Sequence, residues 1–251
     1  MVGGEAKRTR PTITHRAGGG DVVSRTGWRS GVAVEPSIYA ADFASLRTQL
    51  GWLLDAGASV YHFDVGDGHF IPEITMGPIV LESIADLVHR RGGVLDCHLM
   101  VEQPARHLEQ IRAAGGDSVT FHIEAEGEPA ETIALAKDLG LEVGVACSLE
   151  TPVELAVSAA GGTDFVLCMS IHPGLSGQEF VPEALGRIAE LRRLLPDDVA
   201  VQADGGIHLG NIAAAREAGA NLLVSGSGVF WNDDPAAAYH GLVKAAGRCE
   251  A

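Results

Sequence analysis

A (β/α)8 barrel of the TIM type is the fold class this sequence predicts, and three observations predict it. From about Val32 onward, eight short apolar, β-branched runs alternate with longer amphipathic stretches. Several amphipathic stretches open on Pro or a capping residue, and several end at Gly. Polar groups recur at the carboxyl end of most of the eight runs, the end at which such barrels carry their function. A doubly wound open sheet is the alternative reading of the same alternation. No internal sequence repeat or second domain is visible, so residues 32–251 read as one catalytic domain.

The expected strands are Val32–Ile38, Val60–Val65, Val94–Val101, Ser118–Glu124, Glu142–Ser148, Asp164–Ile171, Val199–Ala203 and Asn221–Ser225. The first is followed by a helix running to Ala56, with Asp42 as its cap and Leu46, Leu50, Leu53 and Leu54 on one side. Further helices are expected over Pro78–His89, Pro104–Ala114, Glu128–Leu139, Thr151–Ala159, Pro182–Leu194, Asn211–Ala218 and Pro235–Ala246. Gly57, Gly115, Gly140 and Gly219 stop four of these eight helices.

Residues 1–31 differ from the rest. They carry six basic side chains against two acidic ones, a Gly18-Gly19-Gly20 run and no apolar period, and read as a disordered basic tail outside the fold. The whole chain has 33 acidic and 18 basic side chains, a net charge of −15, which disfavours nucleic acid and anionic membranes as partners. No apolar run approaches the length of a membrane span. Cys97, Cys147, Cys168 and Cys249 form no C-x-x-C pair, and three of them lie in apolar runs; they read as reduced, which suits a cytoplasmic protein.

The strand ends carry the chemistry. In Tyr61-His62-Phe63-Asp64, His62 and Asp64 project to one face, and burying an imidazole beside a carboxylate is costly unless the two are paired or metal-bound. A His–Asp hydrogen bond within the core would satisfy them equally. The third strand adds His98, the seventh ends at Asp204, and all four can meet over a barrel mouth. This mixed nitrogen and oxygen set suits one divalent ion, zinc first, with manganese, iron or cobalt as alternatives. Two carboxylates flanking a substrate can also act as base and acid. His69, His122 and His172 lie near the same rim and are expected to be pocket or structural residues.

Small-residue turns follow the last three strands: Pro173-Gly174-Leu175-Ser176-Gly177-Gln178, Asp204-Gly205-Gly206 and Ser225-Gly226-Ser227-Gly228. Backbone N–H groups freed of side chains can cradle a phosphate there. Ligand-free tight turns are the plain alternative.

These blocks, together with Pro36-Ser37-Ile38, Asp67-Gly68-His69-Phe70-Ile71-Pro72, Asp96-Cys97-His98-Leu99-Met100-Val101 and Met169-Ser170-Ile171-His172-Pro173-Gly174, resemble ribulose-phosphate 3-epimerases from about Val34 to Phe230. The resemblance implies a metal-dependent isomerase of the pentose phosphate pathway, converting D-ribulose 5-phosphate to D-xylulose 5-phosphate through an enediolate. It implies His62, Asp64, His98 and Asp204 as metal ligands, Asp64 as the base at carbon 3 and Asp204 as the acid on the other face. Ser37 and His98 would contact the sugar, with Met100 and Met169 as pocket methionines. Gly174, Leu175, Ser176, Gly177, Gly205, Gly206, Gly226 and Ser227 would hold the phosphate, and the protein would be a homo-oligomer.

Four positions depart from the family's usual pattern. Gly66 stands where Met is common, Leu175-Ser176 where an aromatic and a glycine are usual, and His172 where Asn, Asp or Glu is more common. Loss of the Met side chain is expected to enlarge the pocket, which makes a six-carbon ketose phosphate such as allulose 6-phosphate the alternative substrate. A catalytically silent sugar-phosphate-binding barrel is the non-enzymatic alternative, against which all four ligand and acid–base residues are present. Related decarboxylases and aldolases are disfavoured, because the third strand reads Asp96-Cys97-His98 and no Lys falls at a strand end.

Overall fold

The computed structural model describes residues 27–247. Its strands are β1 (Ala33–Pro36), β2 (Val60–Gly66), β3 (Val94–Met100), β4 (Ser118–His122), β5 (Glu142–Cys147), β6 (Phe165–Met169), β7 (Ala200–Asp204) and β8 (Leu222–Ser225). They form one parallel sheet in the order β1-β8-β7-β6-β5-β4-β3-β2. A parallel bridge between Ser37 and His62 joins the two edges, so the sheet curls into a barrel. Every residue of β2, β3, β4 and β6 is buried, as a parallel sheet covered on both faces requires.

Alternate strand residues serve two environments. Tyr61, Phe63, Leu95, Cys97, Leu99 and Val143 join the helices in the main core. Ala33, Val60, Val94, Phe165, Ala200 and Leu222 form a separate cluster that floors the barrel. Trp28 closes this floor, its ring meeting Phe165 edge-on with centroids 5.7 Å apart.

The helices are α1 (Leu46–Asp55), α2 (Pro78–His89), α3 (Leu108–Ala114), α4 (Pro129–Asp138), α5 (Val153–Ala159), α6 (Ala184–Leu194), α7 (Ile212–Glu217), α8 (Ser227–Phe230) and α9 (Pro235–Ala245). In α2, Pro78 supplies a pre-set first turn, and Leu81, Ile84, Ala85 and Val88 form the buried stripe. The Asp234 carboxylate caps α9 by accepting from the Ala237 N–H at 3.0 Å.

Several boundaries differ from expectation. The first strand stops at Pro36, because Ile38–Ala40 turn into a 3-10 helix. Asp42 does not cap α1. Its carboxylate accepts from the Ala44 N–H and the Ser45 hydroxyl, closing a local turn, and Ser45 occupies the cap position. The stretch Pro104–Ala114 is broken at His107 into a 3-10 turn, Pro104–Arg106, and α3. The sixth strand ends at Met169 and leaves Ser170 and Ile171 to the loop; the fourth ends at His122, with Glu124 on the turn beyond. Helix α8 was not anticipated.

The basic segment does not end where its composition suggests. Trp28–Ser30 form a 3-10 turn, and the Arg29 guanidinium donates to Glu142 at 2.8 Å and lies 3.3 Å from Asp164. The expected disorder of residues 1–26 lies outside the described residues, as does Cys249. Cys97, Cys147 and Cys168 are buried free thiols.

Candidate active site

The carboxyl ends of β2, β3 and β7 bring His62, Asp64, His98 and Asp204 together at the barrel mouth. The parallel register that sets Asp64 beside His98 and Met169 beside Asp204 fixes this convergence. His62 Nε2 lies 3.3 Å from Asp64 Oδ1 and 3.8 Å from Asp204 Oδ2. His98 Nδ1 lies 3.3 Å and 3.6 Å from the same two oxygens. One donor atom from each residue falls within 4.8 Å of the others, so the cluster could hold a metal ion.

The donor chemistry fits a divalent cation. His62 Nε2 is buried and makes no hydrogen bond, while Nδ1 of the same ring lies 3.0 Å from Asp96 Oδ2. An orphaned imidazole nitrogen aimed between two carboxylates has the geometry of a metal ligand. Electrostatics agree. Burial alone would lower His62, but the charges of Asp64 and Asp204 and the hydrogen bond with Asp96 raise it well above the ordinary histidine value, so the site favours a cation.

The two carboxylates differ from one another. Burial would raise Asp64, but the charges of His62 and His98 and the close approach of His98 Nδ1 hold it well below the usual range. Its Oδ2 also accepts from the Ser37 hydroxyl at 2.6 Å. Burial pushes Asp204 up to about 7; His62 opposes this shift and the Asp64 charge adds to it.

Beneath the cluster lies a buried polar layer. Asp96 accepts from Ser118 at 2.6 Å and from Gln202 at 2.9 Å, and Gln202 donates to Glu35 at 2.7 Å. Burial, reinforced by the charge of Asp96, raises Glu35 well above the ordinary carboxyl value. Glu35, Asp96 and Gln202 were not anticipated as site residues. The available signal was period-two placement: each is a polar residue within an apolar strand, and Asp96 lies two before His98.

A cleft opens over this floor. It is lined by Ser37, Asp64, Met100, Met169, Gly174, Leu175, Ser176, Gly177, Asp204, Gly205, Gly206, Gly226 and Ser227, and also by Tyr39, Ile171, Ile207 and Val224. Every residue expected to contact substrate therefore lines it except His98, which sits fully buried below. No Lys or Arg is among the described lining residues. The glycine turns are obligatory: Gly206 has φ +63, and a Cβ there would lie 2.5 Å from the Phe180 backbone N.

Gly66, His69 and His172 fare otherwise. Gly66 does not enlarge the cleft, because a Cβ there would lie 2.6 Å from Ile71 Cδ1, 2.9 Å from Glu73 O and 3.0 Å from Thr75 Cγ2. The loop after β2 fills that space. His172 is exposed outside the cleft, with Nδ1 3.2 Å from Glu150, and His69 is exposed on the loop after β2. His122 lies behind His98, their Nε2 atoms 2.9 Å apart.

The profile of the Ribulose-phosphate 3 epimerase family matches residues 33–230. A ribulose-phosphate 3-epimerase of Schizosaccharomyces pombe is 38% identical over 83% of this chain and 91% of its own length. One from Bacillus subtilis is 37% identical over 81% of this chain and 94% of its own length. The solved thiamine phosphate pyrophosphorylase of Pyrococcus furiosus shares the fold, with a TM-score of 0.64 at 15% identity over 88% of this chain and 98% of that one. The chain belongs to the ribulose-phosphate 3-epimerase family, whose members are isomerases acting on carbohydrates.

Proposed function

We propose that this protein inverts carbon 3 of D-ribulose 5-phosphate, giving D-xylulose 5-phosphate, by proton transfer between two carboxylates. The observation that carries this reading is the pairing of Asp64 and Asp204 around the same two imidazole nitrogens, at the floor of a glycine-walled cleft.

The backbone amides of the turns at 174–177, 205–206 and 226–227 bind the phosphate, and α8 begins at the last of them. With no cation lining the cleft, these dipoles carry the recognition. Asp64, the carboxylate held ionised, takes the proton from carbon 3. Asp204, whose pKa is raised, returns one to the opposite face, so the substrate inverts without turning over. Ser37 holds the Asp64 carboxylate by its hydroxyl. Met100, Met169 and Ile171 narrow the cleft and limit water. A divalent ion held by His62, Asp64, His98 and Asp204, zinc being the first choice for this ligand set, would stabilise negative charge developing on the substrate oxygens.

Because Gly66 adds no room to the cleft, the five-carbon substrate is preferred to allulose 6-phosphate. Wild-type protein, its metal content determined by elemental analysis, is offered both in deuterated water. Deuterium at carbon 3 with conversion of the five-carbon ketose is the expected result; no exchange, or a higher kcat/KM for the six-carbon ketose, overturns the assignment.

A further inference from the structure

His98 presents Nδ1 to the ligand cluster, which turns its Nε2 away from the cleft toward β4. There it lies 2.9 Å from His122 Nε2, with the two rings stacked at 23° and 5.0 Å between centroids. Both side chains are buried, so no bulk water rearranges this contact. Two imidazole nitrogens at that distance must be one donor and one acceptor.

The far side of His122 decides which is which. His122 Nδ1 lies 3.3 Å from Glu124 Oε2 and 3.4 Å from Ser148 Oγ. The other Glu124 oxygen, Oε1, accepts from the Ser148 backbone N–H at 2.9 Å and from the Thr151 hydroxyl. The turn carrying those donors is itself pinned: Arg187 Nη2 donates to the Ser148 and Thr151 carbonyls, each at 2.8 Å. Glu124 is thus a fixed acceptor, which calls for N–H on His122 Nδ1 and a lone pair on its Nε2.

We propose that Glu124 and His122 are positioning residues that set the tautomer of His98. The carboxylate accepts from His122 Nδ1–H, His122 Nε2 accepts from His98 Nε2–H, and His98 Nδ1 is left with its lone pair facing the cluster. This inference rests on the reading of that cluster as a metal site. The two histidines of the site are then oriented by different means: His62 directly, through Asp96 Oδ2 at 3.0 Å, and His98 at one remove, through a second imidazole. The one-link and two-link arrangements both turn the ligating nitrogen toward Asp64 and Asp204 on the cleft side.

Glu124→Gln is the near-isosteric test. The Ser148 backbone N–H can only donate, so the amide oxygen turns to it and the amide N–H faces His122 Nδ1. His122 then carries its hydrogen on Nε2, directly opposed to His98 Nε2–H. His122→Phe, which keeps a ring in the stack and removes the acceptor, is the second variant. The full-length wild type and both variants are stripped of metal and titrated with cobalt(II). The readouts are the dissociation constant, the visible spectrum and the exchangeable, paramagnetically shifted imidazole N–H resonances; metal-free melting verifies folding. In the wild type two such resonances are expected, from His62 and His98. Each variant should bind cobalt about 10- to 100-fold more weakly, with the His98 resonance shifted or lost and the His62 resonance retained. Folded variants that bind as tightly as wild type with an unchanged His98 resonance overturn the inference alone. A wild type that binds no stoichiometric cobalt overturns the metal reading on which it stands.

Discussion

Replacing the two carboxylates one at a time separates their roles more sharply than activity does. Asp64 Oδ1 and Asp204 Oδ2 lie 3.3 and 3.8 Å from His62 Nε2, and 3.3 and 3.6 Å from His98 Nδ1, so the proposed mechanism gives each side chain two roles, ligand and acid–base group. Loss of the acid–base role alone costs about 10²–10⁴-fold in kcat, or about 3–5 kcal/mol in the barrier. Asp64→Asn and Asp204→Asn are therefore assayed with saturating manganese and with bound metal measured, so that a lost ligand is not mistaken for a lost base. Each epimer is then incubated separately in deuterated water. With Asp204→Asn, Asp64 still removes the carbon 3 proton of D-ribulose 5-phosphate, so that epimer exchanges without inverting. With Asp64→Asn, D-xylulose 5-phosphate exchanges and D-ribulose 5-phosphate does not. If both metal-loaded variants abolish exchange from both epimers, or neither does, two independent carboxylates are not the agents of transfer.

Other consequences follow from particular contacts. Gly206→Ala forces a Cβ to within 2.5 Å of the Phe180 backbone N at φ +63, and should raise KM at least about tenfold while weakening inhibition by inorganic phosphate to match. Gly66→Met drives a side chain into Ile71 and the loop behind it, and should destabilise the protein by about 1–3 kcal/mol in urea unfolding without shifting preference toward the smaller sugar. Trp28→Ala should lose about 0.5–1.5 kcal/mol from the edge-on contact with Phe165, besides the area it covers, again read by urea unfolding. Burial would raise Glu124, but hydrogen bonds from His122, Thr151 and the Ser148 N–H lower it to about 2. A depressed carboxyl pKa contributes stability that is present above 4.5 and lost as pH falls toward 2. Discounted for its partial exposure, this is about 1–2 kcal/mol, so the stability gap between wild type and Glu124→Gln should close between about pH 5 and pH 2.

The convergence of His62, Asp64, His98 and Asp204 was legible in the sequence because the strand period is two and the barrel puts all strand ends on one rim. His62 and Asp64 announce themselves as same-face polar residues in an apolar run, and His98 and Asp204 occupy the corresponding ends of β3 and β7. What supports them was not legible, because it depends on register between strands far apart in the chain. Gln202 reaches Glu35 on β1 and Asp96 on β3 across the barrel interior. The link from His98 through His122 to Glu124 likewise requires β3 to lie against β4 and the β5–α5 turn to fold back. Trp28 escaped notice for a different reason: a Gly- and Arg-rich segment has no period, and one aromatic residue carries its whole contact with the barrel.

The interior reads as a stack in which each layer sets the electrostatics of the next. The apolar floor of Ala33, Val60, Val94, Phe165, Ala200 and Leu222 excludes water from below. Burial is therefore the first cause of the upward shift at Glu35, whereas Asp96, the charged partner of His62, is held below its ordinary value against its own burial by hydrogen bonds from His62, Ser118 and Gln202. That charge directs His62 Nδ1 downward and leaves Nε2 without a hydrogen bond at the level of Asp64 and Asp204. At the rim the field must reverse, since the substrate is an anion and Asp64 stays ionised. Side-chain cations are absent from the described lining residues, so on the proposed reading the glycine-turn amides and a cation at the His62, Asp64, His98 and Asp204 cluster would be the positive groups that receive it. Gly66 belongs to none of these layers. Its missing side chain is compensated within the loop by Ile71 and Thr75, which is why a substitution that stands out in the sequence leaves the cleft unchanged.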